Sequence, residues 1–155
     1  MFSGKAICSL DNKSRLIFPS RFRKYISPEA NNRLYLTSGM DGSILVYPGN
    51  IWEKYVEKLS VYNVFDPDQR QFLRIFLENA TECELDNQNR ILIPQDLMEF
   101  GGLEKEVVII GLLDKLEIWN PERKKHYDEQ SKITYEEVAR RSEERRVGKE
   151  CRSRW

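Results

Sequence analysis

Apolar and polar positions near the start of the chain fall into an order that returns later. An extended segment ends at Leu10, Asp11 and Asn12, a polar turn follows, and the apolar run Leu16, Ile17, Phe18 is stopped by Pro19. That order reads as strand, turn and strand. It recurs at Leu85, Asp86 and Asn87, with Ile91, Leu92 and Ile93 stopped by Pro94. Each proline opens a short helical turn, over residues 20–25 and 95–100, the second ending at Gly101. Two further strand-like runs follow in each case. The first pair, 34–37 and 43–47, surrounds Gly39, Asp41 and Gly42; the second, 107–110 and 116–119, surrounds Gly111 and Asp114. Between the two sets lie two amphipathic helices. Asn50 is placed to cap one whose Ile51, Trp52, Tyr55, Val56 and Leu59 share a face, and Asp66 with Pro67 starts another through Phe72, Ile75 and Phe76. Pro121 begins a charged helix, and Thr134 with Glu137 forms a capping-box signature for a last short one. The pattern predicts a mainly β chain, about half strand, with peripheral helices.

The recurrence is a duplication. Residues 8–23, CSLDNKSRLIFPSRFR, and 83–98, CELDNQNRILIPQDLM, are identical at six of sixteen positions, and four more pairs keep apolar character. Average residue usage gives about one identity by chance. The copies divide the chain into a first repeat at 1–62, a connecting helix at 63–79, a second repeat at 80–130 and a short C-terminal helix at 131–140.

Charge enters only after residues 141–155 are set apart. Their sequence, RSEERRVGKECRSRW, has no apolar period and an abrupt basic bias. It resembles the conceptual translation of a sequencing adapter, and is expected to be read-through rather than native chain; a basic tail that grips nucleic acid is the alternative. Residues 1–140 then hold nineteen basic against twenty-two acidic side chains. Global charge therefore does not advertise nucleic-acid binding, which must rest on local patches. No apolar run approaches the roughly 18 residues that span a bilayer. Three cysteines, Cys8, Cys83 and Cys151, give neither metal-ligand spacing nor an even disulfide framework. A reduced, cytoplasmic setting without metal or cofactor is expected, with Cys8 and Cys83 as small buried hydrophobes.

The repeated polar residues carry the chemistry. Asp11 and Asp86 sit at turn entries, where a carboxylate accepts backbone N–H groups two or more residues on. Asn12, Pro19, Asn87 and Pro94 complete the shaping of each turn. Arg15 and Arg90 can turn back on the carboxylate or reach outward to a phosphate or guanine edge, and a guanidinium suits either. Surroundings separate them. Residues 1–24 hold Lys5, Lys13, Arg15, Arg21, Arg23 and Lys24 against Asp11 alone, whereas residues 83–98 hold Arg90 against Glu84, Asp86 and Asp96. Phosphates favour the first copy, so the weight falls on DNA for Arg15 and on a local pair for Arg90.

The doubled Asp-x-x-x-Arg with its following proline resembles the signature of the MraZ family, whose members contain two SpoVT/AbrB-like repeats. The resemblance covers about residues 1–135. It implies swapped β-hairpins interleaved into one pseudo-two-fold β-barrel. It also implies a ring-like homo-oligomer that binds double-stranded DNA at promoter direct repeats, regulating the cell division and cell wall gene cluster at the nucleoid. Two departures stand out: Ser14 and Asn89 occupy positions where the family usually has glycine, and Lys124 stands where a tryptophan equivalent to Trp52 is common.

Rival classes find less support. The lone histidine, His126, lies in a charged run, and no nucleophile–base pairing, metal spacing or small-molecule site argues for an enzyme. Asp11 and Asp86 as a catalytic carboxylate pair are outweighed by duplicated turn caps. An AbrB-like antitoxin using residues 121–140 as an arm is the second rival, and the single-chain duplication argues against it.

Overall fold

The computed structural model describes residues 1–131 and 135–153, with side chains described as far as residue 146. Strands β1 (Lys5–Ser9) and β2 (Arg15–Ile17) lead to the short helix α1 (Ser20–Arg23) and a 3-10 turn (Pro28–Ala30). Next come β3 (Arg33–Ser38), β4 (Ile44–Pro48), and helices α2 (Gly49–Leu59) and α3 (Pro67–Glu78). The second copy repeats the order with β5 (Thr81–Glu84), β6 (Arg90–Leu92), α4 (Gln95–Gly101), β7 (Glu106–Leu112) and β8 (Lys115–Trp119). Helices α5 (Pro121–Gln130) and α6 (Tyr135–Ser153) follow.

The copies exchange strands. β1 of the first copy pairs antiparallel with β7 of the second, and β5 of the second pairs with β3 of the first. β4 and β8 join the halves into a six-stranded sheet of order β1-β7-β8-β4-β3-β5. β2 and β6 form a separate antiparallel ribbon with Leu16 opposite Ile91, Arg15 opposite Leu92 and Ile17 opposite Arg90. Leu16 and Ile91 are the same motif position in the two copies, so a pseudo-two-fold axis passes through that pair. Each copy's hairpin is thereby incomplete without the other.

Two expectations are corrected. The chain is mixed rather than mainly β, with 41% helix against 28% strand. The two-helix insertion α2–α3 and the long α6 account for the excess. Nor does a barrel close: the sheet ends openly at β1 and β5, and no ladder joins them among the described residues. The turns after β1 and β5 bend the chain sharply into the ribbon instead of back along the sheet edge.

One core fills the space between sheet, ribbon and the short helices, and its buried members include Leu16, Phe18, Phe22, Leu34, Leu36, Ile44, Ile91, Ile93, Leu97 and Ile109. A second, aromatic cluster fixes the α2–α3 hairpin. Trp52 stacks on Tyr35 at 5.0 Å and on Phe76 at 5.4 Å, with Tyr47 and Phe72 completing it. Buried Thr37 donates its hydroxyl to the Phe76 carbonyl, and Asn79 donates to Ser38 Oγ at 2.7 Å. Asp66 caps α3 as expected, accepting from Gln69 N–H at 2.9 Å. Asn50 does not cap α2; the helix begins at Gly49 behind Pro48, and Asn50 lies inside its first turn. Gly111 is required by its surroundings, since a Cβ there would stand 2.5 Å from the Ser3 nitrogen, where the N-terminal segment bonds to β7.

Residues 1–123 pack as one unit, and the described residues from 124 onward form another. In the second, Lys124 pairs with Asp128 at 2.6 Å, and the described side chains are exposed almost throughout. The capping box read at Thr134 lies outside the described residues. α6 runs on from Tyr135 to Ser153, past the end expected at residue 140. No helix among the described residues is long and apolar enough to cross a membrane.

Because Leu16 is fully buried on the pseudo-dyad, Leu16→Ala leaves a cavity that both copies line. It is expected to cost about 3 kcal/mol in urea unfolding.

Candidate nucleic-acid interface

The two turns are built alike, atom for atom. Asp11 Oδ1 accepts the backbone N–H of Lys13 and of Arg15, each at 2.9 Å, and Asp11 Oδ2 accepts Arg15 Nε–H at 2.9 Å. Asp86 takes the N–H groups of Gln88 and Arg90, and Arg90 Nε–H, all at 2.8 Å. Backbone bonds from Ser14 N–H to the Asp11 carbonyl and from Asp11 N–H to the Arg15 carbonyl close the first turn, and Asn89 and Asp86 make the matching pair in the second. Ser14 and Asn89 carry φ values of 60° and 59°, the left-handed conformation that ends a three-residue hairpin loop and that glycine adopts most freely. Serine and asparagine thus hold a backbone conformation that would suit glycine better.

The left-handed residues also aim their carbonyls across the dyad. Phe18 N–H donates to the Asn89 carbonyl at 2.8 Å, and Ile93 N–H donates to the Ser14 carbonyl at 2.9 Å. Each turn is therefore locked by the other copy's strand.

Both aspartates are held below the ordinary carboxylate range. The backbone amide of Arg15 is the main cause for Asp11, opposed by some desolvation and helped by the Lys13 amide and the Arg15 guanidinium. Arg90 acts likewise on Asp86, through its amide first and its guanidinium after. With both carboxylates engaged inside their own turns, neither is arranged as a shared catalytic pair.

The ribbon decides which side chains face outward. Leu16 and Ile91 point into the core, so their neighbours Arg15, Ile17, Arg90 and Leu92 share the opposite face. Ile17 and Leu92 are 61% and 54% exposed, and the arginine side chains 29% and 24%. Arg15 and Arg90 are diagonal neighbours across the ribbon, a relation that typically spaces residues about 7–8 Å apart. The two arginines thus belong to one surface, which the separation of their motifs in sequence conceals. Period-two alternation through Arg15, Leu16, Ile17 and Phe18 is the signal that marks Ile17, and by duplication Leu92, as part of it.

The remaining basic residues spread out. Lys13 is exposed at the tip of the first turn. Lys5 is exposed on β1, and its carbonyl accepts a bond from the Arg21 guanidinium, which ties α1 to that strand. Lys24 lies over the Tyr25 ring at 5.1 Å. Arg23 and Lys24 line a cleft with Asn89, beside the second turn and not the first. Asn12, Asn87, Pro19 and Pro94 hold the equivalent turn and strand-end positions in both copies. Cys8 and Cys83 occupy matching strand positions and are half-buried; burial raises both thiols, Cys83 to about 12. Among the described residues no group of His, Cys, Asp and Glu has the arrangement of a metal site. His126 is exposed on α5.

Comparison with known proteins follows the same two halves. The family model described as "MraZ protein, putative antitoxin-like" matches residues 1–75 and again 76–146. The chain belongs to the MraZ family. It is 42% identical over 144 residues to the transcriptional regulator MraZ of Alkaliphilus metalliredigens, covering 93% of this chain and 98% of that protein. The MraZ regulator of Pelotomaculum thermopropionicum is 44% identical over 139 residues, 90% of this chain and 93% of its own. Membership makes the protein a transcriptional regulator and not an enzyme.

Two outcomes test the MraZ turns. Releasing left-handed strain of about 1–2 kcal/mol outweighs the unfolded-state entropy glycine adds, about 0.4–1 kcal/mol, so Ser14→Gly should raise stability by about 0.5–1 kcal/mol. Asn89→Gly should be nearly neutral, because asparagine tolerates that backbone; urea titration of both variants compares them. The depressed aspartates stabilise the fold above their unfolded value near 3.8. Stability should therefore hold at higher pH, begin to fall as pH drops through about 4, and be lost through the lower folded values. Asp11→Asn should shrink that acid-dependent loss in pH-resolved unfolding.

Proposed function

We propose that the protein binds double-stranded DNA in a sequence-specific way, through the outer face of the β2–β6 ribbon. Arg15 is the main base contact, and Lys13, Lys5, Arg21, Arg23, Lys24 and Arg90 provide phosphate contacts and positioning. The observation that carries this reading is the symmetric pair of Asp–Arg turns on one pseudo-dyad. In each, the carboxylate holds the guanidinium through Nε, which orients its terminal amino groups for an external acceptor. An exposed local ion pair contributes little to stability, so positioning is its stronger use. A bidentate arginine on guanine is worth about 1–3 kcal/mol of discrimination, and two-stranded ribbons are established readers of DNA grooves.

One ribbon with few charges binds weakly at physiological salt. A ring-like homo-oligomer presenting several ribbons to successive direct repeats supplies the missing avidity. The apolar loop between α2 and α3 supports self-association: Val61 and Phe65 are 82% and 86% exposed. The targets would be direct repeats upstream of the cell division and cell wall gene cluster, with the protein acting in the cytoplasm at the nucleoid.

Arg15→Ala should abolish preference for the operator over unrelated duplex while leaving the oligomer intact by light scattering. Operator affinity unchanged at physiological salt would rule out the contact.

A further inference from the structure

We infer that the cavity between the N-terminal segment and the start of α2 is a binding site for a guanidinium group, because the other half of the molecule fills the equivalent space with an arginine of its own. The inference lies beyond the DNA reading and does not rest on it. The pseudo-dyad gives the equivalence. In the sheet it passes through the pair Leu45 and Glu117, so β4 and α2 correspond to β8 and α5. Ile51 and Arg123 are the third residues of those two helices. Tyr25 and Phe100 each stand six residues after the motif proline, and Ser27 and Gly102 eight. The left-handed residues of the two outer hairpin turns, Asp41 and Leu113, are followed by Gly42 and Asp114.

Around Arg123 the space is closed. Its Nη1–H donates to the Gly42 carbonyl at 3.0 Å and to the Phe100 carbonyl at 2.9 Å, which joins the helix start to the hairpin turn and the short helix. Glycine makes room there, since a Cβ on Gly102 would stand 2.6 Å from the guanidinium. Around Ile51 no guanidinium is supplied, and an open cavity of about 580 Å³ lies among Phe2, Tyr25, Ser27, Asn50 and Asp114 with others. Its polar groups call for a donor. Asn50 Oδ1 is shut off from solvent and accepts no hydrogen bond, a costly state that a ligand N–H relieves once the amide turns about its last bond toward the cavity. Asp114 adds a carboxylate where the other half has Gly42, and Ser27 a hydroxyl where it has Gly102. Both side chains hold the ligand further out than the Arg123 guanidinium. Asp114 pairs with Lys115 at 3.3 Å, and both side chains are partly exposed. Such a pair is weak, whereas a guanidinium makes shorter, two-pronged bonds to a carboxylate. A guanidinium is planar and donates without accepting, which suits both these acceptors and the rings of Phe2 and Tyr25.

The test follows ethylguanidinium binding to the full chain by NMR, with tetramethylammonium as a cation that carries no N–H. The Asn50 side-chain amide and the Tyr25 and Asp114 backbone amides should shift saturably with ethylguanidinium and stay in place with tetramethylammonium. Asp114→Asn, a change at an exposed side chain, should weaken that binding about 3- to 10-fold. Ile51→Arg should fill the cavity from within the chain, as Arg123 does in the other half, and abolish the shifts. Shifts that do not saturate, or that tetramethylammonium reproduces, overturn the site, as does undiminished binding in Asp114→Asn and Ile51→Arg alike. Asp114→Asn keeps the test decisive where Ile51→Arg does not fold. Arginine blocked at both ends is titrated alongside. Binding as tight as that of ethylguanidinium upholds the site with an arginine side chain of a protein as its occupant, and exclusion of the blocked residue upholds it with a small alkylguanidinium instead.

Discussion

Everything at the outer surface depends on the reciprocal exchange across the Leu16–Ile91 dyad. Neither hairpin is complete alone: the Ser14 and Asn89 carbonyls each satisfy an amide of the other copy, and β1 and β5 each find their ladder on the other copy's hairpin. The exchange places two buried branched side chains back to back and forces their flanking residues outward. Arg15 and Arg90 share a face because the register allows nothing else; a one-residue slip would bury both guanidinium groups.

The turn supplies the precision. One aspartate satisfies two backbone amides and one guanidinium N–H, and the left-handed residue that follows sends the chain across the dyad. Using serine and asparagine in place of glycine accepts strain at Ser14 in return for side chains at the turn. The aromatic cluster of Trp52, Tyr47, Phe72 and Phe76 does a different job, holding the α2–α3 hairpin against β3 and β4 and away from the ribbon.

Much of this was legible in sequence where local chemistry decides it. The doubled motif, the turn-capping aspartates, the Asp66 cap and the strands around Gly39 and Asp114 follow from residue patterns alone. Three features were not legible, each because it depends on tertiary pairing. The basic residues of 1–24 are neighbours in sequence, yet Arg21 turns to β1 while Arg23 and Lys24 stand by the second turn. Arg90, in acidic surroundings by sequence, lies diagonal to Arg15. The sheet stays open because β2 and β6 pair with each other, a choice that hydrophobic alternation does not encode. The absence of an Asn50 cap has a simpler origin, since Pro48 sets the helix start two residues earlier.

The claim that the two copies form a single DNA-reading surface is tested most directly by a double-mutant cycle on operator affinity, using Arg15→Ala, Arg90→Ala and the pair at fixed salt. Two arginines on one ribbon face should be energetically coupled, so the pair should depart from the sum of the singles by at least about 0.5 kcal/mol. Strict additivity, with Arg90→Ala indistinguishable from wild type, would contradict the account.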